Sequence, residues 1–181
     1  MSAWMAGRTV QRRAVLPAAI LSLAGMSLLA TPAQAEVSVR PAITTPAGPG
    51  PIVSGYNKMK CLDDLGDSTR NDTPIVMWDC NGSPEQQWTV ETDGTIQVNG
   101  KCLDVYREEK YNKAMLILYT CHGSSNQQWQ PTGDTLVNPV SHKCLDDPAY
   151  KTTNGTQLQL YTCNGGKNQI WLLPAAMAPA S

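Results

Sequence analysis

Asp146, Gln159, Tyr161, Asn168 and Gln169 bring a carboxylate, three amides and an aromatic ring into one short span of the chain. The set suits recognition better than bond breaking. A carboxylate accepts hydrogen bonds, an amide donates and accepts, and a ring offers a flat apolar face. Together they fit a neutral ligand with adjacent hydroxyls on one side and C–H groups on another. Gln159 and Tyr161 are two residues apart, so on a strand both project to the same side.

The same order occurs twice earlier. Asp104, Tyr119, Asn126 and Gln127 form a second set, with Ile117 in the place of Gln159 and His122 directly after Cys121. Asp63, Trp78 and Gln86 form a third version, with Val76 replacing one amide and Glu85 standing where Asn126 and Asn168 stand. A carboxylate cannot donate, and two close carboxylates repel. The sets therefore rank third copy, second copy, first copy. Catalytic arrangements are missing from the sequence. Asp63-Asp64 and Asp146-Asp147 are carboxylate pairs, yet neighbours on a strand face opposite ways and supply no spaced acid and base. His122 and His142 lack a nucleophile elbow or metal-ligand spacing, and no calcium loop is present. No enzyme, metal or cofactor is expected.

A rigid frame must hold these sets. Each second cysteine follows its first by 19 residues (80−61, 121−102, 163−144) and precedes a tryptophan by 8 (88−80, 129−121, 171−163). The first cysteines recur after 41 and 42 residues (102−61, 144−102). Six cysteines allow fifteen pairings. Three copies that fold alike must each solve their own, giving Cys61–Cys80, Cys102–Cys121 and Cys144–Cys163. A bridge closing a loop of that size contributes roughly 3 kcal/mol in the chain-entropy account.

The ends differ from this middle. Arg8, Arg12 and Arg13 precede an apolar run from Ala14 to Ala30, and Ala33-Gln34-Ala35 offers the small residues read by a signal peptidase. Residues 1–35 are expected to be a signal peptide, by a general or twin-arginine route, and the protein to be secreted and extracellular. Their removal takes three of fourteen basic side chains and none of fifteen acidic ones, moving the net charge from −1 to −4 (11−15). That balance argues against nucleic acid, and no later segment suits a membrane. Residues 36–51, rich in Pro, Ala and Gly, read as an extended linker. Residues 174–181 read as a disordered tail.

Between them, residues 52–173 show short apolar runs such as Ile75-Val76-Met77-Trp78 and Leu116-Ile117-Leu118-Tyr119, bounded by Gly, Asn, Asp or Pro. Those are strands, with Asp93-Gly94 and Gly133-Asp134 as hairpin turns. No sustained 3.6-residue period appears, so the domain is expected to be all-β with about four strands per copy. A forty-residue unit buries little alone, so three must share a core. Leu62, Leu103, Leu145, Met77, Leu118, Leu160, Trp88, Trp129 and Trp171 are its expected members.

Three copies of Cys-Leu-Asp, a second cysteine and Gln-x-Trp (Gln86-Gln87-Trp88, Gln127-Gln128-Trp129, Gln169-Ile170-Trp171) resemble the ricin B-type lectins, including the family 13 carbohydrate-binding modules of secreted actinobacterial proteins. The resemblance spans about residues 54–171 and implies a β-trefoil: a six-stranded barrel capped by three hairpins. It also implies that the three sets contact galactose- or xylose-type units, with Asp146 accepting from two hydroxyls, Asn168 and Gln169 offering amide groups and Tyr161 stacking. His122 resembles a sugar-contacting residue of xylan-binding relatives. A monomer with up to three shallow carbohydrate sites is expected. Asp146→Ala should then abolish the third site with little loss of stability. Two other readings stand beside this one. The charged stretch Arg107-Glu108-Glu109-Lys110-Tyr111, read as an insertion, suits a protease inhibitor or protein-binding module, and the chain could also be the non-catalytic subunit of a hydrolase or toxin. The Gln of Gln-x-Trp and the Asp of Cys-Leu-Asp could also serve the fold alone.

Overall fold

The computed structural model describes residues 47–175. The expected signal peptide, most of the expected linker and residues 176–181 lie outside that range. Within it, every regular element is a strand or a single turn of 3-10 helix.

Each copy starts with a strand carrying Cys-Leu-Asp (Lys60–Asp64, Lys101–Val105, Lys143–Asp146) paired antiparallel with the strand before the second cysteine (Thr73–Asp79, Leu116–Tyr119, Gln159–Thr162). The register is the same three times. Leu62, Leu103 and Leu145 oppose Met77, Leu118 and Leu160 on the buried face. One residue further along, Asp63, Asp104 and Asp146 oppose Val76, Ile117 and Gln159. Because side chains alternate along a strand, this register puts the leucines inward and the aspartates toward the opposite surface. All three expected disulfides form, each with its Cα atoms 5.1 Å apart.

The second strands also join one another. Thr73 pairs with Leu118, Met115 with Gln159, and Thr156 with Met77. Copy one thus touches two, two touches three, and three returns to one. This closed ring covers most of the edges of the paired strands. All nine residues expected in the core are buried, and Ile52, Ile75, Leu116, Leu136 and Leu158 join them. Each tryptophan of Gln-x-Trp packs in this core and donates its indole N–H to the carbonyl of the cysteine-leucine strand of its own copy: Trp88 to Leu62 at 3.0 Å, Trp129 to Leu103 at 3.0 Å and Trp171 to Leu145 at 3.1 Å. A buried indole therefore keeps its one polar group satisfied.

The hairpins after the tryptophans turn where expected. Val90 pairs with Ile96 around Asp93-Gly94, and Thr132 with Thr135 around Gly133-Asp134. Among the described residues the third copy shows no such return strand. Trp171 and Leu172 pair instead with Ser54 and Val53, so the two ends of the domain complete one hairpin.

Both outer boundaries need correction. The linker expected to reach Pro51 ends sooner: Ala47–Gly50 is a strand, Ala47 is buried, and the strand pairs with Trp88–Val90. Its composition looks like a spacer, but the exposed edge of the tryptophan strand supplies the hydrogen bonds that its own sequence does not favour. At the other end Pro174 is half-buried beside Gly50, where an added Cβ would meet the proline ring at 3.2 Å. The ordered chain continues past Leu173.

Candidate functional site

The cross-strand register places each aspartate beside the 3-10 turn that carries the glutamine of Gln-x-Trp: Pro84–Gln86, Ser125–Gln127 and Lys167–Gln169. Gln86, Gln127 and Gln169 are wholly buried. Their amide groups are spent inside the protein. Gln169 Nε2 donates to Asp146 Oδ2 at 2.9 Å and to the Thr162 carbonyl at 3.0 Å, while its Oε1 accepts from the Asn164 N–H at 3.0 Å. Gln127 repeats this with Asp104, Thr120 and His122, and Gln86 with Asp63, Asp79 and Asn81. These three expected ligand contacts instead tie each aspartate to the backbone around the second cysteine.

The third copy gathers the rest of its set around an open cavity of about 460 Å³. Asp146, Gln159, Tyr161 and Asn168 line it, together with Lys113, Tyr150 and Lys151, which the sequence did not mark. Asp146 is almost fully buried at its floor. Oδ2 accepts from Asn168 at 2.8 Å and from Gln169, and Oδ1 accepts from Gln159 at 2.8 Å. A carboxylate has about four acceptor positions, so roughly one stays open unless Gln159 turns aside. Both N–H groups of Asn168 are committed, the second to the Asp147 carbonyl at 2.9 Å, which leaves its Oδ1 as the group it can offer. Tyr161 is half-buried, with one face toward the cavity side of the sheet.

The second copy keeps the floor but not the same wall. Asn126 and Gln127 donate to the two oxygens of Asp104 at 2.8 and 2.7 Å. Ile117 is buried opposite, and His122 lies 3.6 Å from Asp104 through Nε2 with its ring edge-on to Tyr119. In the first copy, among the described residues, Gln86 is the one side chain that donates to Asp63, with Val76 buried opposite. Trp78 is half-buried like Tyr119 and Tyr161, so the aromatic position faces outward in all three copies.

Burial governs the carboxyls. It raises the proton affinity of Asp63, Asp104 and Asp146, against the lowering effect of their amide donors; nearby Glu85 raises Asp63 further. The neighbouring acids, Asp64 and Asp147, are fully buried and point the other way, as strand alternation requires. Desolvation lifts Asp64 to about 7, opposed by Asn99 and the Ser68 N–H. It lifts Asp147 to about 6, opposed by the Tyr56 hydroxyl. Tyr56 donates to Asp147 and meets the ring of Tyr150 edge-to-face at 5.4 Å, which braces a second aromatic against the third cavity.

Two features escaped the sequence reading although they repeat at the same 41- and 42-residue spacing. Asn71, Asn112 and Asn154 each accept, through Oδ1, from a backbone N–H of the following copy: Thr120 at 2.9 Å, Thr162 at 2.9 Å and Asp79 at 3.0 Å. The constant asparagine spacing was the available signal. The second feature is a left-handed residue pair after each first strand: Gly66-Asp67, Arg107-Glu108 and Ala149-Tyr150, all with φ between 50° and 83°. It corrects the expected insertion at Arg107–Tyr111. The stretch has the same length in every copy, as the constant cysteine spacing dictates, and it makes the same turn as Ala149-Tyr150.

The ricin-type β-trefoil lectin domain model matches residues 48–171. A β-galactoside-specific lectin 2 from Viscum album is 40% identical over 58 residues, covering 31% of this chain and 10% of that protein. The chain spans no more than 10% of the length of the curated relatives it matches here. Among solved structures, the designed three-fold symmetric protein ThreeFoil is 31% identical with a TM-score of 0.63, over 71% of this chain and 97% of ThreeFoil. The exo-β-1,3-galactanase 1,3Gal43A from Clostridium thermocellum is 33% identical with a TM-score of 0.63, over 74% of this chain and 30% of the enzyme. With its repeated Gln-x-Trp turns, closed three-copy ring and family match over most of its length, this chain belongs to the ricin-type β-trefoil lectin domain family.

Proposed function

We propose that the domain is a non-catalytic, secreted carbohydrate-binding module that recognises galactose- or xylose-type units, chiefly through the third copy. One observation carries the reading: Asp146, Gln159, Asn168 and Tyr161 share a single open cavity of about 460 Å³. That volume falls within the usual range for small-ligand pockets. In this reading Asp146 accepts one sugar hydroxyl, the free Oδ1 of Asn168 accepts another, Gln159 donates or accepts, and Tyr161 covers the C–H face. Gln169 holds Asp146 in place. Asp104 with Tyr119, Asn126 and His122 forms a second, weaker site, and Asp63 with Trp78 the weakest. Each site binds weakly because few contacts survive the ordering cost, and several sites on one polymer raise retention. The names of the Viscum album lectin and the galactanase support galactose-type units.

Affinity electrophoresis in galactan and in xylan tests this. Tyr161→Ala is expected to weaken retention about tenfold while the melting temperature stays within a few degrees, since the ring is half-buried. Unchanged retention in both polymers would remove the third site from the proposal. A second reading, a binding part of a larger hydrolase or toxin, draws on the fact that the galactanase match covers only 30% of that enzyme. Co-purification of a catalytic chain checks it.

A further inference from the structure

The rim of the third copy's cavity is built partly by the copy before it, through Lys113. Asp72, Lys113 and Gly155 are equivalent by spacing (113−72 is 41, 155−113 is 42), and all three have left-handed backbones, with φ of 64°, 74° and 81°. Their N–H groups donate to the carbonyls just ahead of the aromatic residue in the next copy: Asp72 to Leu118 at 3.0 Å, Lys113 to Leu160 at 2.8 Å and Gly155 to Met77 at 2.9 Å. The preceding asparagine holds the residue at or next to the other side of that aromatic. Asn112 accepts from the Thr162 N–H, so Lys113 is fixed beside Tyr161 from both flanks.

A second rim position lies after the left-handed pair of the same copy: Ser68, Glu109 and Lys151, again spaced by 41 and 42 (109−68, 151−109). By this equivalence the set around Asp63 has Gly155 and Ser68 at these places, the set around Asp104 has Asp72 and Glu109, and the cavity at Asp146 has Lys113 and Lys151. At these two positions the first copy is neutral, the second acidic and the third basic. Lys113 and Lys151 both line the third cavity and are exposed. Neither ammonium makes a hydrogen bond or close ion pair to a described residue, although Lys151 lies within electrostatic reach of buried Asp147. Lys60 and Lys101 behave differently: Lys60 is committed to Asp79 and Asn154, both at 2.6 Å, and Lys101 to Asn71 and Thr120 at 2.8 and 2.9 Å.

Resting on the carbohydrate reading above, we infer that the third site selects sugar units bearing a carboxylate, hexuronic acids, over their neutral counterparts, and that the second site disfavours them. The buried Asp146 at the floor takes a hydroxyl of the ring, so the acid group of the ligand lies toward the rim, where the two lysines stand. Exposed pairs of this kind act modestly and are screened by salt.

Methyl galactoside and methyl galacturonide differ at one carbon, and titrating the whole protein with each while following the side-chain amides of Gln159 and Asn168 by NMR isolates the third site. The galacturonide is expected to bind about fivefold more tightly at low salt, with the preference shrinking toward unity in about 1 M NaCl. Lys113→Gly with Lys151→Ser copies the residues found at these positions around Asp63 and suits the left-handed backbone at position 113; it should erase the preference and leave galactoside affinity within about twofold. Lys113→Asp with Lys151→Glu should reverse it. Equal affinities in the unaltered protein, or a preference that survives the double substitution, overturns the charge selection while galactoside binding stands. Amides that respond to neither sugar remove the sugar site itself, and the selection with it.

Discussion

The first and third copies share backbone register, disulfide, buried tryptophan and buried glutamine, yet they surround their aspartates differently. Asp146 receives three side-chain amide donors, whereas Asp63 receives one. The difference separates two jobs that Cys-Leu-Asp and Gln-x-Trp do together. Aspartate with glutamine closes the turn at the second cysteine in every copy, and this part is indifferent to ligand. The residue across the sheet and the one before the glutamine decide how many polar groups converge on the surface. Gln159 and Asn168 fill those places in the third copy; Val76 and Glu85 leave the first without an amide there.

Removing the aspartates should break this comparison most sharply. Asp146→Ala strands three amide donors and is expected to cost about 4 kcal/mol, against about 1–2 kcal/mol for Asp63→Ala. Urea unfolding of the two variants checks it, and equal losses would mean that the extra donors add nothing. The mild effect that the sequence alone suggests for Asp146→Ala ignores this burial.

Acidity gives the next largest effect. Asp64 and Asp147 occupy one position in the first and third copies, where the second copy has Val105. Their folded values of about 7 and about 6 lie above the ordinary 3.8. At these two carboxyls the folded chain binds protons more readily than the unfolded one, so their contribution to stability is fullest below about pH 4 and is lost as pH rises through 6 to 7. A fall of order 3 kcal/mol between pH 4 and 8 is expected. Asp64→Asn should flatten most of that slope in thermal melts and Asp147→Asn less; a slope unchanged in both would contradict the burial account.

Gln159→Ile gives the third copy the second copy's wall. Retention on polymer should weaken about fivefold with little change in melting temperature. A larger loss of stability than of binding would show that Gln159 chiefly supports Asp146.

What the sequence revealed follows from repetition. The disulfides and the nine core positions were legible because each is written three times at constant spacing, and local alternation then assigns the buried face; the two hairpin turns were legible from their Gly and Asp residues. The strand at Ala47–Gly50 was not legible. It exists because a distant edge needs pairing, and nothing in its own residues says so. The glutamines of Gln-x-Trp show a different limit. An amide's identity does not disclose whether its bonds go to ligand or to backbone, and here Gln169 spends all of them within the fold. Lys113 illustrates a third case, because it serves the cavity of the copy after its own.

The pairing of Val53–Ser54 with Trp171–Leu172 ties a strand near the start of the domain to its last described strand. A ribosome releases the first of these long before the second. During synthesis the ring stays open at Ser54 until Trp171 has emerged, so the third copy, which holds the fullest cavity, is the last to be completed. Rejoining the ends and cutting between other copies would change which cavity waits, without altering any of the three.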